Sequence, residues 1–381
     1  MGSVPRTVRL LVVARAVNRL GAFSLPFLTV LLTTRYHASA VTAGGVVAAF
    51  GIATIPSRLA GGRLADRLGR RRTIVLGLTG CAVAQVGIAA ARGLAVAALS
   101  AVLLGLCYEV YEPPSQAMIA DATGDEHRVR AYGLLNAALA AAGMGAGLLA
   151  AGVGRWDLRW LFAVDAGSCL ACAVIVRLVL PPDCPSDTPR SATPAPWRDR
   201  RLLAMLAAGT LFALVYLQIM LTLPLSLADR GLHPADAGLL MTASAATIVA
   251  GQPLLRRTSL PTAPAFAVGC TLLAAGLAGY AAARTLPALL AVTVLWSLGD
   301  LLLVGRAHAA VATLAPTGAT ARYLAVYGTS WGVAGVAAPV LGTQLLQHLG
   351  PAGLWLSMSG AALVLAAGYP LALRVPRPGG G

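Results

Sequence analysis

Apolar residues run along this chain in blocks of about twenty, separated by short clusters of Arg, Gly, Pro and Asp. A block of that length is what an α-helix needs to cross the hydrocarbon core of a bilayer. Hydropathy and punctuation place spans near residues 10–33, 42–62, 73–91, 94–119, 131–152, 160–180, 202–227, 236–255, 264–283, 287–312, 324–347 and 352–373. The longest polar break, Pro181 to Arg201, follows the sixth span and is rich in Pro and charge. The expected fold class is an all-α integral membrane protein of twelve transmembrane helices. Its expected organisation is a six-helix bundle over 1–180, a linker over 181–201 and a second six-helix bundle over 202–381. The first apolar run is read as a retained span and not a cleaved leader, because Arg15 and Arg19 interrupt it and no small-residue cleavage site follows.

The two halves echo one another. At a shift of 195 residues Tyr132, Gly133, Gly147 and Trp160 meet Tyr327, Gly328, Gly342 and Trp355, and "SAVTAG" from Ser39 resembles "HPADAG" from His233 at a shift of 194. A parallel six-helix repeat predicts a transporter in which one half rocks against the other.

Composition sharpens this picture. Hydrophobic residues make up 57% of the 381 and charged residues only 11%, which excludes an ordinary soluble domain. The net charge of +15 invites a nucleic-acid reading, but the basic residues are strung between apolar segments, not gathered on one solvated face, so no nucleic-acid partner is expected. All 29 basic residues are Arg, which with the abundant Ala, Gly and Pro suggests a GC-rich bacterial genome. With the N-terminus inside, nineteen arginines fall on inner segments and six on outer ones (Arg35, Arg92, Arg155, Arg159, Arg230 and Arg284). That asymmetry puts both termini and the linker in the cytoplasm of a bacterial inner membrane. The six cysteines show neither metal-ligand nor secretory disulfide spacing, so they are read as small core residues and no metal site is expected.

The stretch "GGRLADRLGRRRT", Gly61 to Thr73, packs one acid and five arginines behind the second span. Gly62, Leu64, Ala65, Asp66, Arg67, Gly69, Arg70 and Arg71 resemble the loop signature of the major facilitator superfamily at every fixed place. With the twelve spans, the linker and the half-repeat, the resemblance covers the whole chain. It implies the twelve-helix fold of that family, a small-molecule substrate carried with protons, no cofactor and a functional monomer. Physically, Gly62 lets helix backbones approach, Gly69 permits a tight turn, and Asp66 sits among arginines able to exchange partners. By the resemblance, Asp66, Arg70 and Asp121 form a latch that closes the cytoplasmic side. A bland alternative, arginines that only set topology, stays open. The second half has no equivalent, since "PLLRRTSLPTA" lacks both the acid and the glycines.

A charge within a span costs roughly 2.5–3.5 kcal/mol on insertion scales and asks for a partner or a wet cavity. Arg15, Arg19, Arg58, Glu109, Glu112, Asp165, Asp300 and Arg306 are such charges. Arg15 and Arg19 are four apart and Glu109 and Glu112 three apart, so each pair shares a helix face. Depth then pairs Arg15 with Glu112 and Arg19 with Glu109. Glu109, the deeper acid, is the first proton-carrying candidate, followed by Glu112 and Asp300. Arg306 and Gln116 are further cavity candidates, whereas Asp165, near the outer end of the sixth span, is assigned a structural hydrogen-bonding role. Pro113 and Pro114 supply a bend beside these acids.

Enzymatic signals fail on context. "GTSWG" at Gly328 matches a nucleophile elbow, and "GAGLLA" at Gly145 a dinucleotide loop, but both lie in apolar helix without a preceding strand. No Walker loop is present. The expected function is proton-coupled efflux of a small amphipathic or drug-like compound. The fifth span, however, lacks the Gly-Pro of antiporter-type exporters, having Met144 after Gly143. Proton-coupled import of a metabolite and, further off, a non-transporting membrane sensor therefore remain open.

Overall fold

A computed structural model describes residues 5–22, 24, 27–153, 157–180, 196–228, 230, 236–253 and 260–374. Cys184, Arg190, Arg155, Arg256, Arg257, Arg377 and linker residues 181–195 lie outside them. The described residues are helical almost throughout: α1 Arg6–Gly21, α2 Leu28–Tyr36, α3 Ala40–Leu68, α4 Arg70–Ala90, α5 Leu94–Tyr108, α6 Glu112–Ala122 and α7 Asp125–Val153. Then follow α8 Leu158–Val179, α9 Arg200–Leu221, α10 Leu223–Ala228, α11 Asp236–Ala250, α12 Thr262–Ala282, α13 Leu286–Leu314 and α14 Thr320–Arg374. Grouped along the chain they form twelve spans. α1 with α2, α5 with α6, and α9 with α10 are single spans broken once, and α14 holds two spans, 320–349 and 351–374, divided where Gly350 turns to φ 65°. Eight described segments are long and apolar enough to cross a bilayer by length and composition. Their outward faces carry apolar side chains such as Leu99, Leu178, Val340 and Val364, each more than 60% exposed, as a lipid-facing surface requires.

Two compact units emerge. Unit 1 comprises 1–131, 138–193 and 315–328; unit 2 comprises 132–137, 194–314 and 329–381. Within unit 1, α4 packs on α5 and α8, α3 on α5 and α6, and α1 on α6 and α8; within unit 2, α13 packs on α9, α11 and α12. One short stretch of the second sequence half, the start of α14, thus belongs to unit 1.

One break is dictated by residues that cannot make the helical ladder. Pro113 and Pro114 have no N–H to return to the carbonyls of Glu109 and Val110. The fourth span accordingly opens at residues 109–111, the Glu109 carbonyl takes a tighter bond from Glu112 N at 3.3 Å, and both prolines sit in the first turn of α6. The freed Val110 carbonyl lies against Gly61, where a Cβ would approach Val110 Cα to 2.9 Å, so only glycine fits. The first span breaks after Gly21, and its buried Ser24 donates to Asp165 Oδ2 at 2.6 Å.

Candidate functional site

The intramembrane charges of unit 1 meet in two acid–base pairs. Arg15 on α1 pairs with Glu112 at the start of α6, and its guanidinium lies 4.6 Å from the centre of the Tyr111 ring. Gln116, one turn on, donates to Glu112 Oε1 at 2.9 Å, so this acid has partners from two helices. Tyr111 in turn donates to Asn18 Oδ1 at 3.3 Å, and Asn18 donates to Cys169 Sγ at 3.3 Å. A polar seam therefore runs from the pair to α8 and Asp165, the hydrogen-bonded carboxylate that pins the break in the first span.

The second pair differs from the one depth suggests. Glu109 does not meet Arg19; Arg58 on α3 places Nη1 2.7 Å from Glu109 Oε2, and the neighbouring Ser57 Oγ accepts from Glu109 N at 3.1 Å. Two physical causes account for the change. The break at 109–111 ends the continuous helix on which Glu109 and Glu112 would share a face. Arg19 sits in the last turn of α1, exposed, with Gly143 of α7 facing its Nε, and a cation there complements the carbonyl end of the helix. A usable signal existed: α3 runs on through "RLADRL" to Leu68, so Arg58 lies ten residues from its end, at the depth of the acids. Ending the span at residue 62 hides that depth.

The Arg-rich cluster that follows Gly61 is also resolved into pairs. Gly69 takes φ 90°, ψ 162° between α3 and α4, a backbone region essentially confined to glycine. Arg70 then reaches Asp121 at the end of α6 and donates to Ala117 O at 3.2 Å, while Arg128 Nε donates to Ala120 O at 3.1 Å; both cations satisfy the carbonyl end of α6. Arg71 Nη1 donates to Leu180 O at 3.0 Å, and Arg67 is exposed. Asp66 pairs with a residue that sequence reasoning used only for topology: Arg322 Nε, at 2.5 Å. The contact is possible because Gly62 lets α3 close on α14, where a Cβ at 62 would lie 2.8 Å from Ala325 Cβ and 3.2 Å from Ala321 O.

Unit 2 places its charges otherwise. Asp300 is 2% exposed, and among the described residues its Oδ1 has no hydrogen-bond partner. On α13 it follows Ser297, which donates to Ser244 of α11, and Gly299, which abuts Gly269 and Leu273 of α12. Arg306 is 4% exposed and donates from Nη1 to Leu302 O of its own helix at 3.0 Å. His308 contacts the Tyr132 ring, and Phe212, Tyr216 and Trp331 form an edge-to-face aromatic cluster. Gln218 is fully buried and donates to Ala338 O at 2.8 Å, so it ties α9 to α14.

Comparison with known proteins gives a consistent result. The family model described as Major Facilitator Superfamily matches residues 11–299. The uncharacterized MFS-type transporter YhjO of Bacillus subtilis is 27% identical over 379 residues, covering 94% of this chain and 90% of its own. The multidrug resistance protein MdtH of Cronobacter sakazakii is 30% identical over 46% of this chain and 44% of its own length. Among solved structures, the human organic anion transporter MFSD10 superposes with a TM-score of 0.81 at 18% identity, over 97% of this chain and 100% of that one. The E. coli fucose:proton symporter FucP superposes with a TM-score of 0.80 at 13% identity, over 96% and 98%. At such identities the structural likeness speaks for the fold.

Proposed function

The chain belongs to the major facilitator superfamily, a family of multi-pass membrane transporters and not enzymes, and from that premise we propose that it exports a small amphipathic or drug-like compound in exchange for protons. The observation that carries this reading is Glu109: an acid at a helix break inside the membrane region, held by one arginine from another helix, 2.7 Å away. Such a group can take a proton when its counter-ion withdraws and release it when the counter-ion returns. Glu112, fixed by both Arg15 and Gln116, is the less mobile acid; Asp300 is the second candidate carrier. Residues 1–180 rock against 202–381 about the linker, with both termini in the cytoplasm of a bacterial inner membrane. Asp66, Arg70 and Asp121 act as the latch of one state, joined by Arg322. The monomer is the working unit, and the cycle calls for no cofactor. A multidrug cargo is supported by the names of relatives that match 46% and 38% of the chain.

The test is transport into inside-out vesicles across a panel of lipophilic dyes and antibiotics. Accumulation that collapses when the proton gradient is discharged is the expected result. No gradient-dependent accumulation of any compound defeats the export reading, and uptake in the opposite sense favours import.

A further inference from the structure

Arg58 has a seat as well as a partner. Its guanidinium fills the space that a side chain at Gly328 would need, in the 320–328 arm of α14 that packs within unit 1, so a methyl group at 328 would overlap Nε, Cζ and Nη2 together. On its polar side the guanidinium holds only Glu109; among the described residues its Nε has no acceptor. Among the described residues, the polar partner that fixes where this charge stands is Glu109, and the glycine surface supplies the room it occupies. The arm itself is docked on α3 by the Asp66–Arg322 pair and the close approach at Gly62, both on the same helix as Arg58.

We propose that Gly328 positions Arg58 as the counter-ion of Glu109, and that this ion pair is made only while the 320–328 arm lies against α3. The idea rests on the reading of Glu109 as the proton carrier and deepens it: α14 tells the carrier which state the protein is in. With the arm docked, Arg58 is pressed toward Glu109 and the acid stays ionised. With the arm away, the long side chain gains free volume, leaves, and Glu109 is free to accept a proton. Arg58 is thus a positioning residue. Among the described residues, the other ionisable groups around Glu109 are Arg15 of α1, Cys81 of α4, Glu112 of α6 and Tyr108 of its own helix, whereas the atoms nearest a side chain at 328 all belong to Arg58.

The full chain in proteoliposomes tests this through labelling of Glu109 by dicyclohexylcarbodiimide, which attacks protonated carboxyls in apolar surroundings, with Glu109→Gln as the blank. Loss of an adjacent opposite charge moves a carboxyl by one pH unit or more, so Gly328→Ala and Arg58→Gln should each label about tenfold faster at neutral pH. The double variant should label no faster than Arg58→Gln alone. Gly335→Ala, on the same helix with open space around it, should label as the wild type does. A wild-type labelling rate in Gly328→Ala, or full additivity in the double variant, overturns the proposal. A second measurement leaves Gly328 intact: cysteines at 66 and 322, in a background with the native cysteines replaced by Ala, joined by a short bifunctional thiol reagent. Locking the arm should suppress Glu109 labelling severalfold, and reduction should restore it; labelling indifferent to the lock overturns the state dependence. Should labelling respond as expected while the pH profile of flux in Gly328→Ala matches the wild type, the seat stands and the assignment of Glu109 as proton carrier falls.

Discussion

Unit 1 answers its two buried arginines, Arg15 and Arg58, with acids of its own, and among the described residues unit 2 offers Asp300 and Arg306 no such partner. Arg15–Glu112 and Arg58–Glu109 each draw the acid and the base from different helices, with the arginine side chains 8% exposed in both pairs. In unit 2 the corresponding groups, Asp300 and Arg306, stand on one helix. Six residues separate them, which is about 9 Å along the axis and about 240° around it, so they cannot meet. Among the described residues neither has an ion-pair partner. A paired charge holds helices together; an unpaired one in an apolar seam waits for a proton or for a charge on the cargo. The contrast suggests a division of labour, with unit 1 reporting conformational state and unit 2 presenting unmet valence.

The largest effect that can break this contrast is on stability. Removing one member of a buried pair leaves the other uncompensated, at about 3–5 kcal/mol, so Arg15→Ala should lower the unfolding midpoint in detergent steeply. Arg15→Met with Glu112→Gln should recover most of the loss. Asp300→Asn has no ion pair to break and should cost less than about 1 kcal/mol while impairing flux. If Asp300→Asn unfolds as easily as Arg15→Ala, then unit 2 does pair its charges and the contrast is lost.

A second test concerns the turn at Gly69, a glycine that the matching stretch of the second half lacks. Gly69 occupies backbone space that costs other residues about 1–3 kcal/mol, so Gly69→Ala should destabilise by that amount. Gly45→Ala, inside α3 with open space around it, should be neutral or slightly stabilising, because alanine is the better helix former. Equal losses at the two positions would remove the turn as the reason for the glycine.

How far the sequence reaches can be judged from the same residues. Span number and placement follow from apolar length, which is why even the dyad of spans within α14 is anticipated, with Gly350 where the polar break falls. The Arg15–Glu112 pair follows from depth along two uninterrupted stretches. Arg58–Glu109 does not, because two facts beyond hydropathy decide it: α3 continues past its apolar boundary, and the helix is interrupted between Glu109 and Glu112 ahead of two prolines. Arg322 as partner of Asp66 is a tertiary contact between residues more than 250 apart, and no local pattern encodes it. Asp165 is legible as a hydrogen-bonded group, though its task of pinning the first span at Ser24 is not.

The Asp66–Arg322 pair gives a third, smaller expectation. Asp66 and Arg322 are partly exposed, so the pair biases a conformational equilibrium more than it stabilises the fold. Asp66→Asn and Arg322→Gln should each cut flux roughly tenfold, equivalent to about 1.4 kcal/mol in the balance of states, with unfolding midpoints close to wild type. The reversed pair, Asp66→Arg with Arg322→Asp, should restore part of the flux. Loss on Asp66→Asn without loss on Arg322→Gln would mean that Asp66 acts through the neighbouring arginines alone.

The smallest effect separates the buried pairs from an exposed one in the same unit. Asp157 caps α8, accepting from Arg159 N at 2.9 Å and from its guanidinium at 2.8 Å. The Arg159 side-chain hydrogen bond, then the backbone bond, hold the Asp157 carboxyl below the ordinary aspartate value. A carboxyl depressed in the folded state contributes stability above its unfolded value, near pH 4, and loses that contribution as pH falls through the lower folded value. Asp157→Ala should therefore cost about 0.5–1 kcal/mol at neutral pH, as a lost helix cap does, and the gap from wild type should narrow as pH falls below the ordinary aspartate range. Salt should shrink the ionic part of this gap while leaving the Arg15→Ala loss nearly unchanged, because solvent screens the exposed pair and cannot reach the buried one. Thermal melts of the two variants at low and high salt read that difference directly; equal salt sensitivity would mean that water penetrates to Glu112, and the seclusion of the pairs in unit 1 would have to be given up.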